Sequence, residues 1–367
     1  MKFIYLCIMF ALVPFLVSCG QDEFNSDNSI PIVPTVEGNL KDAPFDFGMA
    51  VNINTLKTNA TYRQTIIDNT TRVTGENAMK MNTISLGQGR YDFSDGDYLV
   101  DFAQQNGLKV HGHTLLWYKH TPDWLKNYQG DSAAFVGIMK QYIYDVVGHY
   151  KGKVASWDVI NEVINDKGEV YTTDGTKENI WMKKIGINYI ALAFQFAHEA
   201  DPDALLFYNE YGHEYSAQRR MGVNNLVKDL KAKGVPIDGV GLQMHTNTLR
   251  ATSDIRNAIV MIAASTKMKV HVSELDVSVN SDSKIKDSDV TDSLKTVVFN
   301  NQQIWYREVS KAMNDLPVDQ RYGITFWGVC DTNTSVATKP DWPLVFDANY
   351  QRKPAYQGLL QGFKVKY

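Results

Sequence analysis

The chain is poor in cysteine, with three in 367 residues, and two of them, Cys7 and Cys19, fall in its first nineteen positions. Only Cys330 is left in the body, so no intrachain disulfide can staple the fold once a leader is removed, and stability has to come from a core. A basic block is also lacking. With a net charge of −4 and pI ≈ 6.1, nothing in the sequence would neutralise a phosphate backbone, which excludes nucleic acid as an expected partner. No glycine-rich phosphate loop follows the first apolar strand, which argues against a doubly wound dinucleotide-binding sheet, and no internal repeat is visible.

What is present begins with a leader. MKFIYLCIMFALVPFLVSC places Lys2 before an apolar run too short and too close to the terminus for a comfortable membrane span. Its ending, Leu16-Val17-Ser18-Cys19-Gly20, resembles a bacterial lipoprotein signal, in which Cys19 becomes the lipid-bearing N-terminus. The expected organisation is a signal segment over 1–19, a polar tether over 20–42 and one catalytic domain over 43–367. The expected location is the outer membrane at the cell surface, with Asp22 and Glu23 just beyond the anchor; the plainer alternatives are the periplasmic face or secretion. Hydrophobic residues make up 44% of the chain and charged residues 21%, enough apolar side chain for a sizeable core. Trp, Tyr and Phe are plentiful, and flat amphipathic rings suit a sugar-binding cleft as well as a core.

Past the tether, β-branched runs alternate with amphipathic ones. Strands are predicted at 46–52, 72–80, 108–117, 154–162, 205–212, 239–247, 269–277 and 322–332. Between them Leu99, Phe102 and Ala103, then Ile190, Ala193, Phe194 and Ala197, then Val223, Leu226, Val227 and Leu230 recur at helical spacing. Eight such alternations predict an α/β fold, a single (β/α)8 TIM barrel. Each strand opens apolar and closes on polar groups: Glu76-Asn77, His113, Asn161-Glu162, Asn209-Glu210, Gln243 and His245, Glu274 and Asp276. All would meet at the C-terminal mouth of the barrel, where such folds build their sites.

Several acids at one rim allow one to stay protonated while another stays ionised, the pairing that glycoside hydrolysis requires. On residue chemistry alone Glu76, Glu162, Glu210 and Glu274 are all candidates. His111-Gly112-His113 is a candidate metal pair, since residues two apart share a strand face.

The blocks TGENAMK (74–80), GHTLLW (112–117), WDVINE (157–162), GVGLQMH (239–245), SELDV (273–277) and ITFWGVCD (324–331), closed by KPAY (353–356), resemble the endo-β-1,4-xylanases of glycoside hydrolase family 10. The resemblance spans roughly residues 41–367, in order. It implies Glu162 as acid/base and Glu274 as nucleophile of a retaining double displacement. It further implies Asn161 on the sugar 2-hydroxyl, His245 and Asp276 as partners of the nucleophile with Gln243 in the same network, and Glu76, Asn77, Lys80, His113 and Trp117 on the non-reducing-end side of the cleft. Trp327 would lie beneath the reactive sugar. No metal or organic cofactor is implied, and the expected partner of this monomer is xylan, with membrane contact through the N-terminal lipid only.

Four positions depart from the family pattern. Met81 stands where Trp usually follows the lysine, Tyr118 where His usually follows Trp117, and Glu210 where Asp is usual. Val336, beside Ser335, replaces a tryptophan that would crowd the reactive sugar, which predicts a looser preference for xylose over glucose; Trp342 is the ring available to take its place. The alternatives left open are a related barrel glycosidase on β-glucan or mannan and a surface lipoprotein that captures polysaccharide without cleaving it.

Overall fold

The computed structural model of the chain describes residues 35–171, 178–332 and 340–365. Eight strands, β1 (Asp46–Val51), β2 (Arg72–Gly75), β3 (Lys109–Gly112), β4 (Ser156–Asn161), β5 (Leu205–Glu210), β6 (Gly239–Leu242), β7 (Lys269–Ser278) and β8 (Arg321–Phe326), pair in sequence order and all in parallel. β8 pairs back onto β1, Asp46 opposite Gly323, and the barrel closes without an edge. After each strand a helix returns outside: α1 (Ala60–Asn69), α2 (Ser94–Gln105), α3 (Ser132–His149), α4 (Tyr189–Ala200), α5 (Ala217–Ala232), α6 (Thr252–Thr266), α7 (Asp292–Asn314) and α8 (Pro354–Lys364). The fold is the expected (β/α)8 barrel.

Helix ends follow local chemistry. Asn59 caps α1 by accepting from the Tyr62 amide, Asp131 caps α3 through Ala134, Ser216 caps α5 through Arg219 and Thr291 caps α7 through Leu294. The predicted stripes of α2, α4 and α5 are all buried against the barrel.

The barrel interior carries polar groups down to its floor, packed around Phe207. The Arg72 guanidinium lies 3.8 Å from the Tyr322 ring centre and pairs with Asp46. Above it, Ser156 Oγ joins the Tyr322 hydroxyl to His111 Nδ1, the latter at 2.7 Å. A buried charge needs such partners to be tolerated at all.

Four predicted strands are shorter than expected, among them 322–332, which is strand only to Phe326. The run 72–80 is strand only to Gly75, 108–117 only to Gly112 with a two-residue piece at Leu116–Trp117 on β4, and 239–247 is interrupted between Leu242 and His245. In each case the chain turns inward at the mouth, so residues that look like strand continue as site-building loop. The packed unit also begins at Val36 rather than at residue 43. Leu40 is fully buried, its amide donates to the Tyr356 hydroxyl at 3.2 Å, and the Val36 amide donates to Gln357 Oε1 at 3.0 Å. Among the described residues no helix is long and apolar enough to cross a membrane.

Candidate active site

β4 shows how an apolar strand delivers an amide and an acid side by side. Its pairing with β5 slips at Val159, so that Asp158 and then Asn161, three residues apart rather than two, both join the interior hydrogen-bond network. Glu162 follows with φ 57°, a left-handed conformation costing a non-glycine residue about 1–2 kcal/mol. Met244, next to Gln243, shares that conformation with φ 63°. Both turns fold the strand ends back over the mouth.

There a cleft of about 370 Å³ is lined by Lys80, His113, Trp117, Asn161, Glu162, Gln243, His245, Glu274 and Trp327 of the predicted set, together with Lys119, Tyr211, Glu214 and Tyr215. Glu76, Asn77 and Asp276 do not line it but stand next to residues that do. Asn77 Oδ1 accepts from Lys80 Nζ at 3.1 Å, and Asp276 Oδ2 accepts from His245 Nδ1 at 2.6 Å. Glu76 is raised by burial and feels the Lys80 charge.

Of the four candidate acids, Glu162 and Glu274 reach the cleft. Glu210 does not: it is fully buried, Oε2 accepts from the Tyr208 hydroxyl at 2.6 Å and the Ile164 amide at 2.8 Å, and Oε1 from the Tyr211 amide at 3.1 Å. Burial pushes it up to about 7. It is a brace for the turn after Glu162.

The two cleft acids are linked through three amides. Gln243 Nε2 lies 3.2 Å from Glu162 Oε1 and 3.4 Å from Asn161 Oδ1; Asn209 Nδ2 donates to the same Asn161 oxygen at 3.0 Å and to Glu274 Oε1 at 2.7 Å. Ser273 Oγ donates to Asn209 Oδ1 at 2.6 Å and fixes which way that amide faces.

The other Glu274 oxygen lies 3.1 Å from His245 Nε2, while His245 Nδ1 faces Asp276. Burial opposes a charge on His245, but the two carboxylates outweigh it and hold the imidazole well above its ordinary value. Burial likewise raises Glu274, yet the His245 hydrogen bond and the nearby His113 bring it below the ordinary carboxylate value. The site therefore keeps Glu274 ionised and oriented.

His111 and His113, the candidate metal pair, converge instead on one carboxylate. His111 Nε2 and His113 Nδ1 lie 3.1 and 2.8 Å from Asp158 Oδ2. Burial works against the Asp158 charge, but the two imidazoles hold it well below the usual range. His113 also meets the Trp327 ring edge-on at 5.2 Å. Among the described residues no group of three or more such side chains is arranged to hold a metal ion.

Trp342 does not replace the absent ring: it packs edge-on against Phe299 at 5.9 Å, away from the cleft lining. Val336 and Ser335 lie outside the described residues, as does Cys19. Cys330 is buried with its thiol 3.3 Å from the Thr332 hydroxyl.

Sequence reasoning placed Asn209 at the mouth without giving it a role, and missed Asp158, Lys119 and Glu214. Asn209 had a signal, because it sits opposite Asn161 in register at the end of the next strand. Asp158 lies within the WDVINE block but needed the strand slip to be placed. Lys119 and Glu214 come from loops that carry no periodic signal.

A family model, glycosyl hydrolase family 10, matches residues 37–362. Endo-1,4-beta-xylanase A of Thermotoga maritima is 37% identical over 302 residues, 78% of this chain but only 27% of that protein, so the chain spans about a quarter of that relative's length. Endo-1,4-beta-xylanase B of Paenibacillus barcinonensis is 35% identical over 86% of this chain and 95% of its own. Xylanase10C of Cellvibrio japonicus, solved in complex with xylopentaose as the E385A mutant, superposes with a TM-score of 0.81 at 34% identity, covering 89% of this chain and 69% of that one. On barrel, cleft and sequence together, this chain belongs to glycosyl hydrolase family 10.

Proposed function

We propose that this chain is an endo-1,4-β-xylanase that cleaves xylan with retention, using Glu274 as nucleophile and Glu162 as acid/base. The observation that carries the reading is the pair of glutamates in one cleft, joined through Gln243, Asn161 and Asn209. In the first step a Glu274 oxygen bonds to the anomeric carbon, the glycosidic C–O bond breaks, and the Glu162 proton passes to the leaving oxygen. In the second step Glu162 takes a proton from water, the resulting hydroxide attacks the same carbon, and Glu274 leaves as carboxylate. Asn161 holds the 2-hydroxyl, a contact that strengthens as positive charge grows at the ring. His245, fixed by Asp276, keeps Glu274 ionised between turnovers. Lys80, His113, Trp117 and Trp327 bind the sugars on the non-reducing-end side, and that binding energy can be used to distort the reactive sugar. The names of the relatives, with a xylopentaose complex among them, support xylan as substrate.

The leader supports a second part of the proposal: Cys19 carries lipid and holds the enzyme at the outer membrane, facing outward.

Reducing-sugar release from xylan, β-glucan and mannan tests the reading, with Glu274→Ala beside the unmutated protein. Xylan cleavage that falls on the order of 10⁴-fold in the mutant supports it. Binding without cleavage by the unmutated protein turns the reading to polysaccharide capture, and faster release from glucan or mannan moves it to another substrate.

A further inference from the structure

Lys119 sits in the loop between β3 and α3, two residues beyond Trp117, and its Nζ lies 3.2 Å from Oε2 of Glu162. The ammonium also stands 4.9 Å from the Trp117 ring centre and 5.7 Å from that of Tyr118. Glu162 is nearly buried, with a side-chain exposure of 6%, whereas Lys119 keeps half its side chain in solvent at 50%. Gln243 holds Oε1 of the same carboxylate, and among the described residues no hydrogen-bond donor is aligned on Oε2. The Lys119 ammonium is thus the group that meets this oxygen.

Other charges face the pair. Lys80, from the loop after β2, shares a field with both Glu162 and Lys119, and its Nζ lies 5.2 Å from the Trp117 ring centre. Glu210, from β5, feels the Glu162 charge, which adds to the burial that raises it. His120 faces Lys119 and Lys80 but is held neutral, since burial and then the lysines bring it down to about 4.

The proposed reaction asks opposite things of Glu162. It must hold a proton when the glycosidic bond breaks and be free of one when water attacks. An ammonium within 4 Å favours the charged carboxylate, so the Lys119 contact is strong in one state and discharged in the other. We propose that Lys119 is a positioning residue for Glu162: it holds the ionised carboxylate against the cleft wall and sets the pH above which bonds with poor leaving groups are no longer cleaved. This rests on the acid/base reading of Glu162.

The test is the pH profile of kcat/KM for xylotetraose and for 2,4-dinitrophenyl xylobioside, measured on the unmutated protein, Lys119→Met and Lys119→Arg. The alkaline limb for xylotetraose reports the proton on the acid of the free enzyme. Because Lys119 is half in solvent, screening reduces the effect, and the limb is expected to rise by about 0.5–1 pH unit in Lys119→Met. Lys119→Arg keeps the charge and the unmutated limb. The dinitrophenolate leaves without a proton, so its profile stays the same in all three proteins. A limb unmoved in Lys119→Met, or moved equally for both substrates, overturns the proposal. If the unmutated protein shows no alkaline limb for xylotetraose that is missing for the dinitrophenyl substrate, the acid/base reading falls and this inference with it.

Discussion

At the scale of single residues the site works by giving similar groups different surroundings. His245 is an imidazole between two carboxylates, and its two ring nitrogens can donate to both only when it is protonated. Its folded pKa is raised above the unfolded value of about 6.5, so its contribution to stability is complete below that pH and is lost as pH rises through the folded value. His245→Asn is therefore expected to lower unfolding free energy more at pH 6 than at pH 10, as read from urea melts at the two pH values; an equal loss at both would show that the imidazole is not charged in the fold. The four glutamates at the strand ends show what the sequence could not separate. In the sequence Glu76, Glu162, Glu210 and Glu274 all follow the apolar opening of a predicted strand, and only three-dimensional burial reveals that Glu210 has used both oxygens on Tyr208, Ile164 and Tyr211.

At the scale of elements, β6 is shaped by what β5 sends toward it. A side-chain carbon on Gly241 would lie 2.2 Å from Asn209 Oδ1, its register partner on β5, so this position has no room for one. Gly241→Ala is expected to push Asn209 off Glu274 and lower kcat on xylo-oligosaccharides by about 10-fold or more, with a smaller change in KM, because the lost contact orients the nucleophile rather than the substrate. Unchanged kcat in a folded Gly241→Ala protein would remove Asn209 from the argument. The elements themselves were legible: strand alternation and the stripes of α2, α4 and α5 are properties of the chain's own periodicity, and all eight strands and these helices stand where it put them. Their ends were not. In TGENAMK and GHTLLW the apolar and β-branched residues continue past Gly75 and Gly112, yet the chain leaves the ladder there to supply Lys80 and His113 to the cleft, rejoining β4 only at Leu116–Trp117. Periodicity records which face is buried, and a loop buried in a mouth looks the same as a strand.

At the scale of the whole molecule the question is how the barrel is held in place. If Cys19 carries lipid, the full chain partitions into the detergent phase of Triton X-114 while Cys19→Ala partitions into water, both cleaving soluble xylo-oligosaccharides at the same rate; equal partitioning of the two would remove the anchor. The segment Val36–Asp42 then acquires a mechanical meaning. It is fastened by a few separate contacts, Val36 to Gln357, Leu40 to Tyr356 and Asp42 to Lys364, whereas β1 is laced along its length to β2 on one side and β8 on the other. A pull on the N-terminal side meets the separate contacts one at a time and meets the ladders of β1 all at once. On a lipid-anchored chain the segment would peel before the barrel shears, paying out slack like a fuse ahead of the circuit, and the cleft would stay assembled while its mooring gave.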